Sequence, residues 1–161
     1  MKPIMKLTTA VAVTALSMGM VSTTAQASER VGTARVSSVT ASAAASLAGG
    51  CQAAKSNWGN IKAYYYTQGK YDYFNRINWF LGGPGLRNKN NVRLRIRLER
   101  RGLPDKTIWS YTSGDNVSPG SGGRSVPNLR VKRSDKVHVD FNFVFDRSGK
   151  DPHCGDRTNS L

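Results

Sequence analysis

The sequence predicts an all-β fold, an antiparallel β-sandwich or small barrel of about six to seven strands that one disulfide bond closes. Three observations predict this class. Apolar residues recur with a period of two after residue 60, breaks rich in glycine, proline and asparagine separate the short segments, and two cysteines enclose most of that region. No segment there has a convincing helical period.

Residues 92–99 give the clearest predicted strand, because apolar and charged side chains alternate there without a break. The even-numbered residues are apolar and predict a buried face, whereas the opposite face carries Arg93, Arg95, Arg97 and Glu99. A second clear strand covers residues 137–146, with three phenylalanines on one face, Phe141, Phe143 and Phe145. Weaker strands are predicted at residues 61–67, 73–81, 107–111 and 126–131.

The first 50 residues predict two segments that precede the folded domain. Residues 1–27 have the features of a secretory signal peptide: Lys2 and Lys6, a modestly apolar stretch over residues 7–21, and an Ala-Gln-Ala cleavage site ending at Ala27. Residues 28–50 are rich in alanine, serine and threonine, and they predict a flexible leader with a short helix near residues 41–47. Residues 51–161 are expected to form a single secreted β domain without a membrane span, either diffusing or retained at the cell wall.

The cysteines of an exported protein are expected to pair, so the sequence predicts a disulfide between Cys51 and Cys154. A zinc site is the competing interpretation, and it would need both cysteines together with His138 and His153. Only residues 153 and 154 are close in sequence, and adjacent residues rarely share a metal ion. The sequence therefore favours the disulfide, and neither a metal nor another cofactor is expected.

The chain is strongly basic, with a formal net charge of +14 that falls by two, to +12, when Lys2 and Lys6 leave with the signal peptide. Such an excess attracts polyanions. Three arginines of residues 92–99 would stand in a row about 6.6–6.8 Å apart. The predicted ligand-binding cations are this row and its neighbours, Arg93, Arg95, Arg97, Arg100 and Arg101, and a later basic group, Arg130, Lys132 and Arg133.

Guanidinium groups bind phosphate, sulfate or carboxylate through paired hydrogen bonds, so the arginine row suits an extended polyanion. The row can instead be the solvated face of a half-buried strand, with arginines paired to Asp140 or Asp146 across strands. Tyr64 and Tyr66 share one face of their strand. Exposed beside cations, they would stack on sugars or bases, and the alternative places them in the core.

The sequence offers little for catalysis, because His138 and His153 are its only histidines and no known nucleophile, zinc-protease, phosphate-loop or calcium-loop motif occurs. One arrangement is conceivable if two strands are neighbours, and it comprises Glu99, Arg95, Arg97 and His138. A base would activate the RNA 2′-hydroxyl, arginine would stabilise the phosphorane, and an acid would protonate the leaving oxygen. This is the ribonuclease-like alternative.

The favoured hypothesis is a secreted, non-enzymatic binding protein for an anionic polymer: a wall phosphate polymer, an acidic polysaccharide or extracellular nucleic acid. A protease inhibitor is a third hypothesis, with residues 113–124 as the candidate loop. The glycines of that loop argue against the rigidity that an inhibitor needs. The sequence leaves the oligomeric state open.

Overall fold

The computed structural model describes residues 44–161, apart from the side chains of residues 55 and 128. The predicted signal peptide and residues 28–43 of the predicted leader lie outside the described residues. The 3-10 helix Ala54–Ser56 is the one helical segment of the described range. The strands of this range are β1 (Ala45–Gln52), β2 (Trp58–Gln68), β3 (Tyr71–Gly82), β4 (Asn91–Arg100), β5 (Leu103–Thr112), β6 (Gly120–Lys132), β7 (Val137–Val144) and β8 (His153–Arg157).

The strands form two four-stranded sheets in which every neighbouring pair is antiparallel. The first sheet has the order β1-β2-β3-β6, and the second sheet has the order β5-β4-β7-β8. The predicted all-β class is confirmed, and of the two architectures considered the chain adopts the sandwich. The eight strands of residues 44–161 exceed the predicted number.

The core lies between the inner faces of the two sheets. The first sheet contributes Leu47, Ile61, Ile77, Trp79 and Leu81, all at most 7% exposed. The second sheet contributes Val92, Leu94 and Ile96 from β4 and Val137, Val139, Phe141 and Phe143 from β7, all at most 3% exposed. Fully burying one such side chain stabilises a fold by about 1.5–3 kcal/mol. The two clearest predicted strands are therefore confirmed, although β7 ends at Val144.

Two glycines of the first sheet make room for the phenylalanines of β7. A Cβ atom at Gly59 would overlap the ring of Phe143, and a Cβ atom at Gly49 would lie 2.7 Å from a ring carbon of Phe141. Protein interiors are close-packed, so bulky rings on one sheet need small residues opposite them. These glycines thus set the approach of β1 and β2 to β7.

The predicted disulfide between Cys51 and Cys154 is confirmed. It joins β1 to β8, which are edge strands of different sheets. Beside it, the backbone N–H of Ala48 donates a hydrogen bond to Oδ1 of Asn159 at 3.0 Å. The covalent bond therefore connects the two layers along one side of the sandwich.

Several predicted boundaries are wrong. The sequence predicts residues 45–50 as part of the leader, with a helix reaching residue 47, yet they belong to β1, which pairs with β2 from Ala45 to Gln52. Pairing with β2 satisfies the backbone hydrogen bonds of this glycine- and alanine-rich segment. The composition of the segment cannot reveal that partner strand. β8 was not predicted. Residues 120–124 of the candidate inhibitor loop belong to β6.

Within residues 44–161, no helix has the length and apolar character needed to cross a membrane.

Candidate functional site

The predicted site residues lie on two opposite surfaces of the sandwich. Burial alternates along β4, so the arginine row and Glu99 share the outer face of the second sheet. Burial also alternates along β2, where Gly59, Ile61 and Ala63 are buried and their neighbours face outward. Tyr64 and Tyr66 therefore belong to the outer face of the first sheet. The arginine row and the tyrosines cannot line one groove.

One acidic side chain forms ion pairs with two members of the arginine row. Asp140 of β7 lies opposite Arg95, with 3.5 Å between its Oδ2 and Nη2 of Arg95, and 3.3 Å between the same oxygen and Nη1 of Arg97. Arg97 also donates from Nη2 to the backbone oxygen of Asp105 at 2.7 Å, and its side chain is only 19% exposed. Arg93 is the one member that is exposed and has no ion pair among residues 44–161.

The two arginines that follow the row lie at the β4–β5 turn. Arg100 donates from Nε and Nη2 to the backbone oxygen of Pro104, at 2.9 and 2.6 Å. These bonds hold the turn, so the guanidinium already has a backbone partner. Arg101 is exposed in the turn itself.

His138 is buried beneath the same surface, with 1% of its side chain exposed. Its Nδ1 lies 3.2 Å from Oε1 of Glu99, and its Nε2 lies 3.2 Å from Oδ1 of Asp140 and 3.7 Å from Oδ2 of Asp105. A ring nitrogen that carries a hydrogen can donate it to the carboxylate that it faces. The ring thereby links β7 to β4 and β5.

Glu99 is held by the carboxyl-terminal segment as well as by His138. The hydroxyl of Ser160 donates to Oε1 of Glu99 at 2.7 Å. This hydrogen bond lowers the pKa of Glu99 most, and the hydrogen bond and charge of His138 and the charge of Lys136 lower it further. Glu99 is therefore an ionised acceptor that ties β4 to β7 and to the end of the chain.

The residues of the ribonuclease-like alternative come together as the strand pairing requires, because Arg97 lies opposite His138. A general acid or base must also reach its substrate within hydrogen-bonding distance. Both ring nitrogens of His138 face carboxylates, and the ring is shielded from solvent. In this arrangement the contacts of His138 connect β7 to β4 and β5, which is a structural role.

The outer face of the first sheet, by contrast, combines exposed aromatic rings with unpaired cations. Trp58 of β2 stacks on Phe80 of β3 with 5.1 Å between ring centroids, and they are 40% and 37% exposed. Tyr66 stacks on Tyr73 at the other end of the same strands, also at 5.1 Å. We call this surface the aromatic–basic face; it comprises Trp58, Lys62, Tyr64, Tyr66, Tyr71, Tyr73, Arg76, Phe80, Arg130 and Lys132.

The later basic group lies at the tyrosine end of the aromatic–basic face. Arg130 pairs with Tyr73 and Lys132 pairs with Tyr71 across β3 and β6. The Arg130 guanidinium stacks on the Tyr71 ring, with 4.9 Å from its Cζ to the ring centroid. Arg133 lines a cavity of about 420 Å³ with Lys70, Tyr71 and Lys132. The structure thus unites Tyr66 with Arg130, Lys132 and Arg133.

The balance of charge separates the two sheets. The strands of the first sheet carry five Lys or Arg residues and one carboxylate, whereas those of the second sheet carry six Lys or Arg residues and four carboxylates. The single carboxylate of the first sheet, Asp72, is buried and accepts a hydrogen bond from Oγ1 of Thr67 at 2.5 Å. The aromatic–basic face therefore has no acidic side chain from its own strands to oppose a bound anion.

Sequence reasoning missed four aromatic members of this face as site residues: Trp58, Tyr71, Tyr73 and Phe80. For Trp58, Tyr71 and Tyr73, the signal is the alternation of residues 58–66 and 71–73, which places their aromatic rings on one side. Phe80 follows the bulge at Asn75, which reverses the alternation of β3 and hides it from the sequence pattern. Tyr65 points the other way and packs on Phe74, with 5.6 Å between ring centroids. Burial, and secondarily the charge of Asp72, raise the pKa of the Tyr65 phenol.

Fold and site together define a disulfide-closed antiparallel β-sandwich with one aromatic and basic sheet face. No family model matches the chain, and no curated protein or solved structure is significantly similar to it. Across the described range, no group of three or more histidine, cysteine, aspartate or glutamate side chains has the arrangement needed to hold a metal ion.

Proposed function

We propose that this protein binds an anionic polymer through the aromatic–basic face of its first sheet. The single observation that carries the proposal is the Arg130 guanidinium, which stacks on Tyr71 and has no hydrogen bond or ion pair with any described residue. Stacking orders the guanidinium plane while leaving its N–H groups for an anion. Neighbouring Lys132 and the charge balance of the sheet add to the same attraction.

The proposal moves the binding site from the arginine row to the other sheet. Asp140 already faces Arg95 and Arg97, so an anion there would have to displace or compete with a carboxylate. No such competitor lies on the aromatic–basic face among the described strand residues. The ligand class is the one predicted from the overall charge, and only its site changes.

The place of action that we propose is outside the producing cell. The predicted signal peptide and the disulfide between Cys51 and Cys154 support it, since disulfides persist in oxidising compartments. Anionic polymers that a protein meets there include wall phosphate polymers, acidic polysaccharides and released nucleic acid. Binding through charge would retain the protein near whichever of these is abundant.

The proposal predicts a salt-dependent affinity that depends on one face. Four cations of the face, Lys62, Arg76, Arg130 and Lys132, can contact a polyanion, which gives a slope of about −3 for log K against log salt. Affinity for fluorescent polyphosphate is therefore expected to fall about fiftyfold between roughly 50 and 200 mM salt. The triple variant Lys62→Gln, Arg130→Gln, Lys132→Gln is expected to bind weakly and to reduce the slope to about −1.

A matched control removes three charges from the other side of the molecule. Arg93, Arg101 and Arg157 are exposed, and Arg157 lies opposite Asp140 on the outer face of the second sheet. The triple variant Arg93→Gln, Arg101→Gln, Arg157→Gln therefore has the same net charge as the first. It is expected to keep most of the parent affinity, because long-range attraction is screened beyond about 8–10 Å at these salt concentrations. Equal losses in the two variants would refute a localised site, and unchanged binding in the first variant would place the site elsewhere.

A further inference from the structure

A cavity opens on the aromatic–basic face where the pairing of β3 and β6 is irregular. Phe74 pairs with Leu129 and Arg76 pairs with Ser125, so Asn75 lies opposite three residues of β6. The bulge leaves a cavity of about 550 Å³, lined by Tyr66, Tyr73, Asn75, Leu129 and Arg130 among others. This volume is in the range of small-molecule sites, about 300–1,000 Å³. The face is thus a charged surface with a recess large enough for a ring.

We infer that the anionic polymer is a single-stranded nucleic acid, whose bases stack on the tyrosines around this cavity while Arg130 contacts a phosphate. The inference rests on the proposed function and specifies its ligand. It names the one class of polyanion considered whose every unit joins a phosphate to a planar aromatic ring.

The tyrosines provide the stacking surface. The rings of Tyr66 and Tyr73 are nearly parallel, with an interplanar angle of 9°, and Tyr66 is 38% exposed. Tyr66 is the exposed ring of the pair, and a base can extend the stack on its π face that Tyr73 does not cover. Base–aromatic stacking tolerates any sequence, because every base has a π face.

The guanidinium of Arg130 provides the phosphate contact beside that stack. It lies over Tyr71, and Tyr71 meets Tyr73 edge to face with 6.4 Å between centroids. Phosphate and base sites are therefore adjacent across the neighbouring strands β2, β3 and β6, as phosphate and base are in a nucleotide. A ligand without aromatic rings, such as polyphosphate, would contact Arg130 but would not stack on the tyrosines.

A second aromatic pair lies farther along the same strands. Trp58 is eight residues from Tyr66, a separation of about 26 Å in an extended strand. Lys62 and Arg76 lie on the surface between the two pairs. Aromatic rings at both ends and cations between them suit a strand of several nucleotides. A duplex fits less well, because its bases are already stacked and do not offer their faces.

The test compares oligothymidylate of about twelve nucleotides with an abasic strand of the same length and charge, within the site sizes known for sheet-based binders. Fluorescence anisotropy of the full mature chain is expected to show at least about tenfold tighter binding of the oligothymidylate, since one stacked base contributes about five- to a hundredfold. The double variant Tyr66→Leu, Tyr73→Leu is expected to remove this preference while abasic binding stays. Thermal unfolding checks its fold, and the exposed single variant Tyr66→Leu serves if the double variant unfolds.

Two other outcomes would overturn the nucleic-acid assignment, and a third would overturn the proposed function. If the abasic strand and polyphosphate bind as tightly as oligothymidylate, the nucleic-acid assignment is overturned and the polyanion site stands. If an acidic polysaccharide such as alginate displaces oligothymidylate at equal charge concentration, the ligand is a sugar polymer and the assignment is again overturned. If none of these probes binds at low salt, the proposed function itself fails.

Discussion

Single residues on the outer face of the second sheet owe their electrostatic surroundings to the register of β4 and β7. Arg97 is opposite His138, and Arg95 is opposite Asp140. Shifting either strand by one residue would turn these charges into the core, so the register that buries Val92 and Val139 also assembles the network. Arg95 and Arg97, which look like part of a binding row in the sequence, therefore have Asp140 as a partner within the sheet.

Glu99 makes that network sensitive to acid. Its folded pKa is lowered, chiefly by the Ser160 hydrogen bond, so its contribution to stability is present above the unfolded value near 4.5 and is lost as the pH falls through the folded pKa. Glu99→Gln is expected to be less stable than the parent at pH 7 and to lose less stability on acidification below about pH 4.5. Urea midpoints at several pH values measure this. Parallel pH profiles for the two proteins would contradict it.

Among the strands, β1 differs most from what its sequence predicts. Eight residues dominated by alanine and glycine carry no strand pattern, yet they pair along their full length with β2. Leu47 is the one large apolar residue of the segment, and it is 1% exposed in the core. The strand is thus held by its partner and by one buried side chain, and hardly by its own propensity.

Leu47→Ala tests whether β1 belongs to the folded domain. The substitution is expected to lower the free energy of unfolding by about 2–5 kcal/mol, because it removes buried methyl groups and leaves a cavity. Chemical denaturation measures the loss. Ser46→Ala is the control, since the neighbouring side chain is exposed and its loss is expected to change stability by at most about 0.5 kcal/mol. A Leu47→Ala protein as stable as the parent would restore the flexible-leader interpretation.

At the scale of the whole molecule, the disulfide and the contrast in charge between the two sheets are the main features. Cys51 and Cys154 are separated by 103 residues, so their bond restricts nearly all of the described chain. The bond lies at the β1–β8 side, and the aromatic–basic face lies on the outer surface of β2, β3 and β6. The disulfide and the proposed binding face therefore lie on different parts of the sandwich.

Replacing both cysteines, as in Cys51→Ala, Cys154→Ala, is expected to reduce the free energy of unfolding by about 2–5 kcal/mol, because the unfolded chain regains the entropy of a long open loop. Where the variant remains folded, its polyphosphate affinity is expected to match that of the parent. Denaturant titration and anisotropy measure the two quantities. A stable variant that has lost affinity would show that the disulfide shapes the binding face directly.

The amino-acid sequence by itself determined the alternation of β4 and β7, the pairing of the two cysteines and the excess of positive charge. These properties are local or have only one solution: period-two burial needs no knowledge of neighbours, and two cysteines outside the cytosol have one intramolecular partner each. The tertiary structure alone decided that β1 and β8 are strands, that Asp140 pairs with both Arg95 and Arg97, and that Tyr66 shares a face with Arg130. Each of these depends on which strands lie side by side, because cross-strand contacts join residues far apart in the chain, and no local pattern specifies strand order.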